Sequence, residues 1–194
     1  MIAEKLKAVK RNARCERMTF VQSYDSPLGG MLLAADGIGL TGLWFDGQKY
    51  FARGLPAERT ARETPALTQA KRWLDCYFGG REPDFLPPLH PVGSAFRQAV
   101  WELLLQIPYG KTVTYGELAR RLAEMRGSAG MSAQAVGGAV GHNAISVIIP
   151  CHRVVGTDGS LTGYAGGIDR KIRLLELERA DLRGLFVPKR GTAL

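Results

Sequence analysis

The sequence predicts two units in series: an N-terminal α/β domain, with an antiparallel sheet and a helix, and a mainly α C-terminal domain with a helix-turn-helix. Three observations carry this. Residues 18–46 read as short strands between turn signals. A proline-rich stretch, Pro83 to Pro91, coincides with a change in charge, and three capped helical segments follow it.

The strands are Met18–Tyr24, Gly30–Ala35 and Ile38–Phe45, separated by Asp25-Ser26-Pro27 and Asp36-Gly37. Thr64 then caps a helix with Pro65 at its first position. That helix runs through Leu67, Trp73, Leu74 and Phe78 and stops at Gly79-Gly80. After the prolines, Ser94 caps a helix carrying Phe96, Val100, Trp101, Leu104 and Ile107. Thr114 to Glu117 fits a capping box opening a second helix, with Leu118, Leu122 and Met125 inward. Ser132 caps a third segment, Ala133 to Gly141. The last two helices and their tight turn fit a helix-turn-helix or a plain αα-hairpin. The resulting division is a basic extension at 1–17, domains at 18–86 and 87–182, and a tail at 183–194.

A chain of 194 residues accommodates two small domains. No segment approaches the ~20 apolar residues of a membrane span, and Met1 to Arg17 lacks the apolar core of a signal peptide. Cys15, Cys76 and Cys151 have no paired spacing, which argues against a disulfide framework or a structural zinc site. The expectation is a cytoplasmic protein with reduced thiols. Of the net charge of +8, the excess lies in residues 1–17 and 90–194, which suits a polyanionic partner.

The segment Ala133 to Gly141 is built of small residues, with Gln134 as its polar side chain. Each glycine costs roughly 1 kcal/mol relative to alanine inside a helix. Close approach of another surface would offset that, and a tightly packed buried helix is the alternative. A helix reading the major groove would carry several long polar side chains. This one fits nucleic acid with little sequence readout, as in a minor groove.

Ser146 to Ile149 is a β-branched run, read as a strand that Pro150 ends, followed by Cys151-His152-Arg153-Val154. A lone cysteine is often an inert buried residue, but a base or cation beside it lowers the thiol pKa from about 8.5 to roughly 3.5–7.5. His152 and Arg153 are the immediate candidates. Adjacent residues of an extended chain face opposite ways, so Cys151 and His152 meet only through a turn or a water. Between Ile168 and Glu178, Lys171 and Glu178 fall within the apolar arc of Ile168, Ile172, Leu174 and Leu175. A charge so placed needs a partner, and Glu178 can orient an imidazole. A snorkelling lysine and a half-exposed glutamate are the alternative.

The chain resembles the alkylguanine-DNA alkyltransferase family. The resemblance rests on Ile149-Pro150-Cys151-His152-Arg153-Val154, preceded by His142-Asn143 and followed by Gly163-Tyr164-Ala165-Gly166-Gly167. Val113 to Ala119, Ala135-Val136-Gly137, Ser26 to Gly29 and Phe96 to Trp101 match too, so that it spans residues 18 to about 180. It implies a ribonuclease-H-like N-terminal domain and a winged-helix-like C-terminal one. It also implies direct repair, in which an alkyl group passes once and irreversibly from guanine O6, or thymine O4, to Cys151.

By that resemblance His152 deprotonates Cys151 through a water, Glu178 orients His152, and Asn143 braces the turn. Tyr115 helps rotate the nucleotide and donates to the leaving guanine. Lys171, Val154, Tyr164, Ala165 and Gly166 border the base pocket. Tyr115, Gly116, Gln134, Ala135, Gly137 and Arg97 meet double-stranded DNA through its minor groove, with the base flipped out. No cofactor and no metal is implied, and the protein acts as a monomer. The chain departs from the family pattern at Gln134, where many members have arginine, at Ala165, where some have serine, and at Ala144, where proline is common. A cysteine hydrolase and a non-catalytic lesion binder are the rival readings. The second is disfavoured because non-catalytic relatives lack the acceptor cysteine.

Overall fold

The structure, a computed structural model, describes residues 18–189, so the expected basic extension and the end of the tail lie outside the described residues. Three strands, β1 (Phe20–Ser26), β2 (Gly29–Ala35) and β3 (Leu40–Phe45), form an antiparallel meander. A two-residue strand, β4 (Thr60–Ala61), joins β1 in parallel, giving the order β3-β2-β1-β4. The third strand starts two residues later than the apolar pattern predicts. The Asp36 carboxylate accepts from Ile38 N at 2.8 Å and Gly39 N at 2.9 Å, which holds that segment as a turn.

Helix α1 (Pro65–Phe78) starts as predicted, Thr64 Oγ1 accepting from Leu67 N at 3.3 Å. Its buried face, Leu67, Ala70, Trp73, Leu74 and Tyr77, follows the i, i+3, i+7 spacing and joins the core under the sheet. The proline-rich stretch pairs with the edge of β3: Leu40 N donates to Pro88 O and His90 N to Leu40 O, both at 2.8 Å. His90 also pairs with Asp36 at 2.6 Å.

Helices α2 (Ala95–Leu105), α3 (Tyr115–Met125) and α4 (Ala133–Gly141) are capped by Ser94, Thr114 and Ser132. Half of the predicted capping box forms, because Glu117 pairs with Arg121 one turn on. Helix α4 packs on α2, where Trp101 Nε1 donates to Ala139 O at 3.0 Å. A short parallel pair, β5 (Val113–Thr114) with β6 (Val154–Val155), ties the start of α3 to the segment after Cys151. Helix α5 (Ile168–Leu177) closes the unit. One apolar core runs through both halves, from Phe20 to Leu174.

One expected element is absent. Ser146 to Ile149 does not form a strand: the chain makes a single bridge just before it, Ile145 to Leu43, and then turns, with Val147 at φ 69°. The cause is Asn143. Its Oδ1 accepts from Ile145 N at 2.9 Å, and its Nδ2 donates to Ile145 O at 3.2 Å and Ile149 O at 2.8 Å. These bonds take the place of a sheet ladder. The β-branched run is apolar because Ile145, Val147, Ile148 and Ile149 are all buried.

Candidate active site

The turn that Asn143 braces leads directly into Cys151–Arg153, a single 3₁₀ turn with all three side chains buried. An extended chain would have sent Cys151 and His152 to opposite faces; the turn removes that obstacle. Asn143 Nδ2 also donates to Cys151 Sγ at 3.1 Å. The same amide therefore shapes the backbone and touches the thiol.

His152 is fully buried, edge-on between Tyr77 and Tyr164. Its Nε2 lies 2.7 Å from Glu178 Oε1. Burial holds the imidazole pKa below its usual value, with Arg153 and Lys171 adding to the effect and Glu178 opposing it. A neutral ring that meets a carboxylate through Nε2 carries its proton there. Nδ1, which has no partner among the described residues, is then the basic atom.

Glu178 is the hub. Its Oε1 accepts from the Tyr77 hydroxyl at 2.6 Å and from Arg153 at 3.0 Å, besides His152. Its Oε2 accepts from Arg153 Nε at 2.9 Å and Gly110 N at 3.1 Å. Burial alone would push this carboxyl up, but the hydrogen bonds and charges of His152 and Arg153 hold it well below the usual carboxylate range. Glu178, expected to orient an imidazole, lies in hydrogen-bond contact with His152. Arg153, considered as a cation to activate the thiol, instead neutralises Glu178 and donates to Ile107 O at 2.6 Å.

Lys171 is buried rather than snorkelling, and donates to Val154 O at 2.5 Å and Thr162 O at 2.7 Å. Burial lowers its pKa to about 8, against the pull of Cys151. Burial raises the Cys151 thiol, while Asn143 and Lys171 act to lower it. Burial thus disfavours the charged form of both the thiol and the imidazole, while the Lys171 charge acts to favour the thiolate.

A cavity of about 330 Å³ adjoins this cluster, lined by Gly137, Gly138, Gly141 and His142 on one side, Gly163, Tyr164, Ala165 and Gly167 on another, and Lys49 and Tyr50. Tyr164 links cavity and cluster: burial first, and then the Cys151 charge, raise its phenol. Tyr115, at the start of α3, donates to Thr162 O at 3.2 Å, and its phenol is raised by the same two causes. Gly163 sits at φ 72°, and a Cβ there would lie 2.5 Å from the Tyr115 hydroxyl, so that only glycine fits.

Helix α4 buries Val136, Ala139 and Val140 and exposes Ala133, Gln134, Ala135 and Gly138. A Cβ on Gly138 or Gly141 would meet nothing within 4 Å, and one on Gly137 only Tyr115 at 3.7 Å. Internal packing therefore does not require these glycines, and the buried-helix alternative fails.

Of the remaining predicted residues, Val154 is buried in β6, Gly116 opens α3 beside Thr157, and Gly166 is buried behind the cavity wall. Arg97, half-buried in the first turn of α2, lines neither the cluster nor the cavity. Sequence reasoning missed Tyr77, whose position on the apolar face of α1 reads as core, and Gly110. Only their polar atoms reach Glu178, and no spacing rule connects α1 to the residue after α5.

Two family models match the chain: the ribonuclease-like domain of 6-O-methylguanine DNA methyltransferase over residues 20–91, and its DNA binding domain over residues 95–180. A methylated-DNA--protein-cysteine methyltransferase of Haemophilus influenzae is 41% identical, across 80% of this chain and 84% of its own length. The solved O6-methylguanine methyltransferase of Mycobacterium tuberculosis is 44% identical with a TM-score of 0.69, covering 84% of this chain and 93% of that one. A structure of the same organism's OGT in complex with DNA matches at 40% identity and TM-score 0.71, across 86% of this chain and 99% of that one. With both family models accounting for most of its length and relatives above 40% identity, this chain belongs to the 6-O-methylguanine DNA methyltransferase family.

Proposed function

We propose that this protein repairs DNA by moving an alkyl group from guanine O6 to Cys151 Sγ, once per molecule. The observation that carries the reading is the buried contact of Glu178 with His152 Nε2, at 2.7 Å, which leaves Nδ1 as the basic atom of the residue next to Cys151 in the chain. The Cys151 proton passes to Nδ1, through a water as in the family. The S–C bond forms as the C–O6 bond breaks, and guanine leaves with the electron pair. A hydrogen bond from Tyr115 stabilises that leaving group. Asn143 holds the thiol in place, and the Lys171 charge favours the thiolate. Nothing in this cluster supplies a way to cleave the thioether, so the reaction stops after one equivalent.

The exposed small-residue face of α4 supports contact with double-stranded DNA through Gln134, Ala135 and Gly137, together with Tyr115, Gly116 and Arg97, in the minor groove and with little sequence preference. The flipped base would enter between α4 and the Gly163–Gly167 loop, bordered by Tyr164 and Ala165, whereas Gly166, Val154 and Lys171 do not line that cavity. The sheet order, with β4 parallel to β1, supports a ribonuclease-H-like N-terminal half. The β5–β6 pair beside α3 and α4 supports a winged-helix-like C-terminal half. The protein would act as a monomer.

The test is to incubate the protein with duplex DNA containing O6-methylguanine and locate the adduct by mass spectrometry. A single methyl group on Cys151, with Cys76 unmodified, is the expected result. An unmodified Cys151, with the methyl group still on the DNA, would refute the assignment.

A further inference from the structure

The loop after β3 was given no role by the sequence, yet it forms one wall of the cavity. Three contacts dock it there. Gln48 Oε1 accepts from Ser146 Oγ at 3.1 Å, Lys49 N donates to Ala165 O at 2.9 Å, and the Tyr50 ring stacks on His142, centroids 4.7 Å apart and 18° from parallel. Tyr50 and Ala52 adopt φ values of 62° and 50°, which bulky residues rarely hold without a constraint from their surroundings.

The stack carries two cations. Lys49 Nζ lies 5.4 Å from the centre of the Tyr50 ring and Arg53 Cζ 5.2 Å from it. His142 Nδ1 is 2.6 Å from Gly138 O, so that nitrogen bears the proton and Nε2 accepts from Arg53 NH1 at 3.5 Å. His142 is the residue that ends α4. Loop and DNA-facing helix are thus joined through one imidazole. Lys49 and Arg53 are both exposed, and among the described residues no ion pair engages either.

We propose that Lys49 and Arg53, set on the Tyr50–His142 stack, form a phosphate-binding rim contributed by the N-terminal half. The rim takes the backbone phosphate next to a nucleotide whose base occupies the cavity. This rests on the functional reading above. A base inside the cavity leaves its sugar and phosphate at the mouth, and the mouth on this side is built from exposed cations. An aromatic platform fixes them with few rotamers to lose, which suits backbone holding without sequence readout. It also places positive charge at the end of α4, in a chain where Gln134 brings none.

The double variant Lys49→Ala/Arg53→Ala tests this against two alkyl donors, a duplex containing O6-methylguanine and the free base O6-benzylguanine. The slope of log affinity against log salt for the duplex, measured between about 50 and 200 mM, should become shallower by about 1 to 2, since each neutralised phosphate contributes roughly 0.9. Duplex reaction at the lower salt should fall about tenfold, and by more than free-base reaction falls. An unchanged salt slope with unchanged duplex reaction overturns the rim. Equal losses with both donors also overturn it, because the loop would then be shaping the pocket and not holding a phosphate. If the unsubstituted protein reacts with neither donor, the functional reading itself fails, an outcome distinct from both.

Discussion

Tyr77, on the last turn of α1, donates its hydroxyl to Glu178 Oε1 at 2.6 Å, so the N-terminal half helps hold the carboxylate that meets His152 Nε2 at 2.7 Å. Tyr77→Phe removes one charged hydrogen bond without changing ring packing. It should cost about 1.5–3 kcal/mol of stability and slow alkyl transfer severalfold. Urea denaturation and single-turnover kinetics measure the two effects. A stability loss with an unaltered rate would make Tyr77 purely structural.

Arg153 is the countercharge that lets Glu178 stay ionised while buried. Arg153→Leu leaves a carboxylate with one cation fewer in a site closed to solvent. The expected cost is about 3–5 kcal/mol, larger than that of an ordinary surface arginine. Denaturant unfolding of the variant checks it, and a change below 1 kcal/mol would show that the Arg153–Glu178 pair contributes little.

Lys171 gives a pH signature. Its ordinary pKa of 10.5 falls to about 8 in the fold because burial disfavours the charged form. Below pH 8 the lysine is protonated in both states, and the fold bears the full cost of burying the charge. Between pH 8 and 10.5 the folded protein releases the proton first, so the unfolded state binds more protons and stability rises with pH. Against Lys171→Met, the unsubstituted protein should gain about 3 kcal/mol across that window. A flat difference would contradict the buried charge.

Gly138 lies on the exposed face of α4, and a methyl group there meets nothing within the protein. Gly138→Ala should therefore raise stability by about 0.5–1 kcal/mol through helix propensity. It should weaken binding and alkyl transfer on duplex DNA, where the added methyl meets the partner. Thermal unfolding and DNA affinity separate the two. A more stable variant with unaltered affinity would mean that this face does not meet DNA.

The helices were legible in the sequence because their caps are local: Thr64, Ser94, Thr114 and Ser132 each accept from a backbone amide three residues on. Glu178 and Lys171 were legible because helix periodicity places them inward. The run Ser146–Ile149 misled, since apolar β-branched residues mark burial as readily as pleating, and Asn143 supplied the hydrogen bonds that a sheet would have made. The Tyr77 contact and the Lys49–Arg53 rim were not legible, because they depend on how elements far apart in the chain meet. Tyr77 and Glu178 are 101 residues apart.

Stoichiometric transfer to one buried thiol can be read from label transfer out of O6-methylguanine in duplex DNA. Uptake should saturate at one methyl group per protein molecule, with none in Cys151→Ala. Continued transfer beyond one equivalent, or undiminished transfer in Cys151→Ala, would contradict it.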